Sequence, residues 1–443
     1  MKSFRFHLQD RFLVREEDGV SMFRFVHAAD IHLDSPLRGL SGQEGDNARR
    51  IQKATREAFE NLVTRSIEEK IDFMILSGDL YDGDWKDYQT GLFFVAQMGR
   101  LSSHDIPVFL VYGNHDAASQ MTRSLNLPPN VHLFGTHRAH TFRIPNLLVA
   151  IHGMSFRQRD VTDNLVPGYP DPVPDMFNIG VLHTGLGGLG GHANYAPSSS
   201  GELIAKGYDY WALGHVHQGQ VINRNPYIVF PGNLQGRHIR ETGPKGAVIV
   251  SVDEGAVTDL GVLEVDVVRW EVLTVHAAWE DSLSEILNRI RDEIQSVSGK
   301  MDGRLLACRI LIVGKTKIHF QLESSRESLL AEARSAALSL GSSVAWVERV
   351  VVQTEPIAIG VEEKEDASFM DLAQILGKAK DDPELLKMME SQLGELIQTL
   401  PYDLRIDNED IALKSAIDRD YEELLPPVIR FLLADMREQG QKS

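Results

Sequence analysis

A single cysteine, Cys308, serves the whole 443-residue chain, which leaves no disulfide framework and suits a reducing compartment. No apolar run approaches the ~20 residues of a membrane-spanning helix. The opening stretch, MKSFRFHLQDRFLVREEDGV, carries acidic side chains and lacks the long apolar core of a secretory signal. A cytoplasmic location and no membrane association are therefore expected. Basic charge is also scarce: the net charge of −18 argues against a broadly basic nucleic-acid surface. The deficit is uneven. From Glu355 onward, 21 acidic residues face 10 basic ones, so the rest of the chain is only mildly acidic. Bound divalent cations would add positive charge where it is needed, so overall acidity does not exclude a phosphate-bearing polymer. There is no internal repeat and no low-complexity tract, and the length is too great for one compact core.

What the chain does have is five apolar runs of strand character that each end in potential metal ligands. Phe25-Val26-His27-Ala28-Ala29 runs into Asp30-Ile31-His32, and the run from Ile71 to Leu76 runs into Gly78-Asp79. The run from Ile106 to Val111 leads to Gly113-Asn114-His115-Asp116. Asn178 to Leu182 ends at His183, and Tyr208 to Leu213 ends at Gly214-His215-Val216-His217. Ligands at the carboxyl ends of buried strands converge on one edge of a sheet.

Helical periodicity over 46–69, with Ile51, Ala54, Ala58, Leu62 and Ile67, and a second helix over about 88–101 alternate with these strands. That rhythm predicts an α/β domain over 23–265, with a mixed two-sheet core flanked by helices. Residues 1–22 read as an N-terminal extension, with Met22 as an alternative start. A second rhythm over 266–356 predicts a small α+β domain in the ferredoxin-like order β-α-β-β-α-β, including a strand over Lys317 to Leu322. Residues 357–443 form an acidic helical tail. It opens on the charged connector Glu362-Glu363-Lys364-Glu365-Asp366, and Leu385, Leu386, Met389, Leu393 and Leu396 supply its apolar faces.

Two close divalent cations need a bridging carboxylate and a mixed set of oxygen and imidazole ligands, and such a pair can clamp a phosphoryl group in displacement. Asp30 and His32 can reach one ion, Asp79 is the natural bridge, and Asn114, His183, His215 and His217 complete the set. Hard oxygen with imidazole suits Mn, Fe or Zn better than Mg or Ca. His115 beside Asn114 fits a proton donor to the leaving oxygen, with Asp116 holding it and a hydroxide supplied by the cations as nucleophile. Arg237 and His238 are candidates for contacting substrate phosphate. His27, His132, His137, His140, His152 and His192 read as packing or surface residues, with His152 the strongest exception. Asp34 and Asp82 read as turn or cap residues, or as support for the ligands.

In its ordered motifs D-x-H, G-D, G-N-H-D, H and G-H-x-H, the chain resembles the calcineurin-like metallophosphoesterases. More narrowly it is similar to SbcD-type bacterial DNA exonucleases of the YhaO-like branch. The narrower match rests on residues 27–36, Ser77 to Asp82, Tyr112 to Asp116, Pro231-Gly232-Asn233 and residues 235–243. The resemblance implies one metal on Asp30, His32, Asp79 and His217, a second on Asp79, Asn114, His183 and His215, and His115 as proton donor. It also implies manganese, a DNA substrate, repair by phosphodiester hydrolysis, and an SMC-like ATPase partner; a homodimer is a further possibility. Archaeal and eukaryotic relatives carry histidine at the position of Asp82, so no substrate-positioning role carries over there. Other readings are a small-molecule or protein phosphoesterase on the same metal core, and a scaffold subunit that binds an ATPase through its C-terminal helices.

Overall fold

The computed structural model describes residues 22–37, 46–82, 88–118, 126–187, 195–357, 375, 381–399, 411–417, 424–425 and 428–429. Residues 1–21 of the N-terminal extension, the connector 362–366 and His192 lie outside these. The chain divides into two compact units, with the principal break between Val267 and Val268.

In the first unit, β1 (Phe23–Ala28), β2 (Phe73–Ser77), β3 (Val108–Val111) and β4 (Val131–Leu133) lie side by side in parallel. The α-helices α1 (Asp46–Glu68) and α2 (Tyr88–Ser102) provide the crossovers that parallel neighbours require. A short helix, α3 (Asn114–Ala118), follows β3. The second sheet takes β5 (His140–Ile144), β6 (Val149–Gly153), β7 (Phe177–His183), β8 (Tyr210–Gly214), β9 (Gln220–Arg224) and β10 (Tyr227–Phe230), with α4 (Ser200–Ala205) before β8. Its order is β5-β6-β7-β8-β10-β9, parallel from β6 through β10. Strands β11 (Gly246–Asp253) and β12 (Ala256–Glu264) return to the first sheet as an antiparallel pair beside β1.

Strand alternation explains why these sheets stack. Phe23 and Phe25 of β1 face the second sheet, where they pack with Phe73, Ile75, Phe109, Ile151, Ile179, Val181 and Tyr210. Register sets Phe25 beside Phe73, and their rings stack with centroids 5.0 Å apart. Val26, Ala28, Met74, Leu76 and Leu110 point the other way, onto Ala58, Phe59 and Leu62 of α1 and Phe94 and Met98 of α2. Each such fully buried large side chain contributes roughly 1.5–3 kcal/mol. With both faces covered, the strand ends are held in fixed relation.

The second unit runs β13 (Val268–His276), α5 (Leu283–Ser298), β14 (Leu305–Thr316), α6 (His319–Ser324), α7 (Arg326–Ser339) and β15 (Ala345–Pro356). It is not ferredoxin-like. The strand expected over Lys317 to Leu322 is the helix α6, and the sheet has three parallel strands in the order β13-β14-β15. β14 extends to Thr316 and already pairs with a neighbour on each side, which leaves no adjacent place for another strand. His319, Leu322 and Glu323 are buried together, at the spacing of one helical face. Of the acidic tail expected to be helical, the described residues include α8 (Pro383–Thr399) and α9 (Ile411–Ile417). Among the described side chains of α8 none is fully buried; Leu385, Leu386, Met389 and Leu393 are half-buried and Leu396 is exposed.

Candidate metal centre

The five strand-end motifs meet at the carboxyl edge of the two parallel sheets. The loop after β1 is fastened to the loop after β2: Asp30 N donates to Gly78 O (3.1 Å), and Ile31 N and His32 N both donate to Asp79 O (2.9 and 3.0 Å). Asp30, His32, Asp79 and His215 all have positive φ, at 50°, 45°, 50° and 107°. Such angles are uncommon without glycine and cluster where a site is over-determined by its surroundings. The approach is close enough to require glycine at two further points. A Cβ on Gly113 would come 2.3 Å from Asp79 Oδ1, and one on Gly214 would come 2.0 Å from Ser77 O.

Three overlapping groups of side chains result. Asp30, His32 and His217 form the first, Asp79, His183 and His215 form the second, and His32, Asp79 and His115 link them, the candidate ligand atoms in each lying within 4.8 Å of one another. Asn114 joins the second through Oδ1, 3.0 Å from His183 Nε2. His183 Nδ1 faces the carbonyl of Ser77 (2.9 Å), which only accepts, so Nδ1 carries a proton. In the neutral ring, Nε2 therefore points a lone pair at Asn114 Oδ1 and at Asp79 Oδ2, 3.4 Å away. Three electron-pair donors that face one another call for a cation between them. Without a metal, a proton serves: burial disfavours the charged ring, but the Asp79 carboxylate outweighs it and raises the His183 pKa to about 9.

The first group makes the same demand. His217 Nδ1 lies 2.7 Å from Glu241 Oε1, so its proton is committed there and Nε2 is left as an electron-pair donor. That Nε2 lies 3.2 Å from His32 Nε2 and 3.9 Å from Asp30 Oδ1. Burial and the Arg237 cation push the His32 pKa down to about 3, so its ring is neutral and able to bind metal. The Asp30 carboxylate also accepts from His215 N (3.1 and 3.0 Å), which ties the first and last motifs together. The donor set fits a pair of divalent cations: oxygen and imidazole, with no thiolate.

His115 stands at the rim of this centre, its ring centroid 5.0 Å from that of His32. The carboxylate beside its imidazole is not the expected one. Asp116 is fully buried and accepts from Gly113 N (3.0 Å), Leu80 N (3.1 Å) and Tyr81 N (2.9 Å), so it fastens the loops after β2 and β3. Asp82 Oδ1 instead lies 3.3 Å from His115 Nδ1 and 3.6 Å from His32 Nδ1. Burial works against a charged His115, but Asp82 prevails and the pKa is raised. Asp34 has a supporting part away from the ions: it pairs with Arg56 Nε at 2.5 Å and with Thr90.

Arg237 and His238 also reach the site. Arg237 Nη2 lies 3.2 Å from His217 Nδ1, and Nη1 lies 4.0 Å from Asp82 Oδ1. His238 Nε2 lies 3.6 Å from Glu241 Oε1. Sequence reasoning passed over Glu241 itself and Lys245, whose Nζ donates to His217 O at 3.2 Å. The signal was an acid and a base four residues apart just after Arg237 and His238. His152, the strongest exception among the remaining histidines, is buried between Thr141 Oγ1 (2.8 Å) and Asn178 Oδ1 (3.0 Å), and His27 is buried against Tyr210 OH at 3.1 Å.

Parts of the chain are similar to known proteins. Residues 23–219 match the calcineurin-like phosphoesterase family, and residues 270–355 match the middle domain of metallophosphoesterase YhaO. The uncharacterized metallophosphoesterase YhaO of Bacillus subtilis (strain 168) is 32% identical over 309 residues, 69% of this chain and 75% of that protein. The DNA double-strand break repair protein Mre11 of Methanopyrus kandleri is 24% identical over 303 residues, 60% of this chain and 62% of that protein. Among solved structures, a dimetal phosphatase from Danio rerio aligns with 55% of this chain and 97% of its own at a TM-score of 0.31 and 12% identity.

Proposed function

The chain belongs to the calcineurin-like metallophosphoesterases, alongside YhaO, and we propose that it is a two-cation phosphodiesterase whose substrate is DNA. The observation that carries the cation pair is the convergence of electron-pair donors in two adjacent groups. In this reading Asp30, His32, Asp79 and His217 hold one cation, and Asp79, Asn114, His183 and His215 hold the other. Bound divalent cations supply an activated water near neutral pH and polarise the phosphoryl oxygens.

The chain's own groups do the rest. Arg237 and His238 bind and orient the phosphate. His115 delivers a proton to the departing oxygen, with Asp82 holding Nδ1 so that Nε2 faces the substrate. Asp116 keeps the two loops in register through their backbone N–H groups. DNA as substrate and a role in repair are supported by the similarity to Mre11 and by the SbcD-like segments around the motifs. Manganese is the cation we expect, and the cytoplasm the location.

A panel of single-stranded DNA, hairpin-ended DNA, RNA and a phosphomonoester, each assayed with Mn, Mg, Co and Zn, tests this. DNA cleavage with manganese, lost in His115→Ala while cation binding persists, is the expected result. A phosphomonoester rate far above that on DNA would move the assignment to a small-molecule or protein phosphatase.

The second reading concerns partners. An SMC-like ATPase docking on the acidic tail is favoured by α8, a 17-residue amphipathic helix without a fully buried side chain among those described. Truncation after residue 365 should abolish ATPase binding; retained binding excludes the tail as the docking element. Sedimentation of the intact chain tests the homodimer.

A further inference from the structure

We propose that Glu241 is a positioning residue that selects the metal-binding nitrogen of His217 and, through the same carboxylate, fixes the Arg237 loop beside the cations. The inference rests on the two-cation reading above and adds to it a residue outside the ligand set.

Glu241 is 7% exposed, and both of its oxygens are committed. Oε1 accepts from His217 Nδ1 at 2.7 Å. Oε2 accepts from Asn233 Nδ2 (2.9 Å) and from Arg237 N (2.7 Å). The side chains of Arg237 and His238 lie 3.6 Å from Oε1 and compensate its charge. A buried carboxylate with this many donors is built in, because an unpaired charge there would be strongly destabilising.

The consequence for His217 is chemical. A neutral imidazole has two tautomers, and the one with its proton on Nε2 cannot donate an electron pair from that nitrogen. The carboxylate only accepts, and at 2.7 Å it lies closer to Nδ1 than the competing donor Arg237 Nη2 at 3.2 Å, so it holds the proton on Nδ1 and turns the Nε2 electron pair toward His32 and Asp30. Lys245 fixes the same histidine from behind, its Nζ donating to His217 O at 3.2 Å. The side chain and the backbone of His217 are thus held by two residues four apart in sequence. Oε2 meanwhile joins Asn233 and Arg237 N, so the loop that carries Arg237 closes on the carboxylate that orients the ligand. A purely structural Glu241 would hold the loop without affecting the ring protonation of His217.

The test uses the full chain, stripped by chelation and titrated with Mn²⁺ in a calorimeter, alongside ¹⁵N spectra of the histidine rings. Wild type should take up two cations and show His217 protonated on Nδ1. Glu241→Gln keeps the shape but can offer an N–H to His217. It should weaken one of the two cations about 10–100-fold, as is usual when a carboxylate behind a metal-binding histidine is lost, and should give a mixed or reversed tautomer. Glu241→Asp restores the charge and should recover most of the affinity and the Nδ1–H signal. If the glutamine variant binds both cations as wild type does and keeps Nδ1–H, the inference fails. If the aspartate variant is folded but no better than glutamine, carboxylate selection of the tautomer is likewise excluded. A wild-type chain that binds fewer than two cations would sink the two-cation reading instead.

Discussion

Asp82 Oδ1 lies 3.3 Å from His115 Nδ1, a contact that favours the protonated imidazole which the proposed role of general acid requires. Burial alone would lower the His115 pKa; Asp82 reverses the direction. An acid works in its protonated form, so activity should fall on the alkaline side of the His115 pKa. Asp82→Asn should move that alkaline limb to lower pH as well as slow turnover. His115→Ala should cost about 100–10,000-fold in kcat, the usual worth of a positioned proton donor. An unshifted alkaline limb in the asparagine variant would remove Asp82 from this role.

His183 provides a pH test without any substrate. In the cation-free protein its pKa is raised to about 9 from an ordinary 6.5. A raised value means that folding favours the protonated form. The stabilisation is complete below about pH 6.5 and is lost as pH rises through about 9. The denaturant midpoint of chelated protein should fall across that window. Cations need the deprotonated ring, so their affinity should climb with pH up to about 9 and their binding should release a proton below it. Calorimetry in two buffers of different ionisation enthalpy measures that proton, and identical heats in both would refute its release.

The five motifs were legible because each places a ligand next to the strand that aims it. Parallel strands ending at one edge need no further information to bring Asp30, Asp79, Asn114, His183 and His215 together. Residues that act across loops were harder to read. Asp116 adjoins His115 in sequence, yet its carboxylate turns back to three backbone N–H groups, and Asp82 comes from another loop to take the place expected of it. Glu241 meets His217 over a separation of 24 residues, through a loop whose path no periodicity encodes. The second unit failed differently. Ile318, Phe320 and Leu322 alternate like a strand, while His319, Leu322 and Glu323 share a helical face. Only the pairing of β14 on both sides decides between the two.

Glycine substitutions should separate the site from the scaffold. Gly214→Ala places a Cβ 2.0 Å from Ser77 O, which no rotamer change relieves because the neighbour is backbone. We expect about 1–3 kcal/mol of lost stability, the range for overpacking, together with weakened cation binding. Gly99 lies in α2 with nothing within 4 Å of an added Cβ. There the same change should stabilise by about 0.5–1 kcal/mol, because glycine inside a helix loses more entropy on folding. Chemical denaturation of both variants reads the two signs, and a loss at both positions would contradict the close-approach account.

Arg237 offers the sharpest separation of binding from chemistry. Its Nη1 lies 3.4 Å from Ser35 Oγ and its Nη2 lies 3.6 Å from Glu241 Oε1, while Nε has no hydrogen-bond partner among the described residues. Nε is buried, so in the proposed reading the two Nη groups divide between these anchors and a substrate phosphate. Arg237→Lys keeps the charge but loses the fork that makes this division possible. One charge-assisted hydrogen bond is worth about 1.5–3 kcal/mol, so KM for a short oligonucleotide should rise about 10–100-fold with kcat changed much less. If kcat falls and KM holds, Arg237 stabilises the reacting phosphoryl group only in the transition state, because a contact already made to the bound substrate would register in KM.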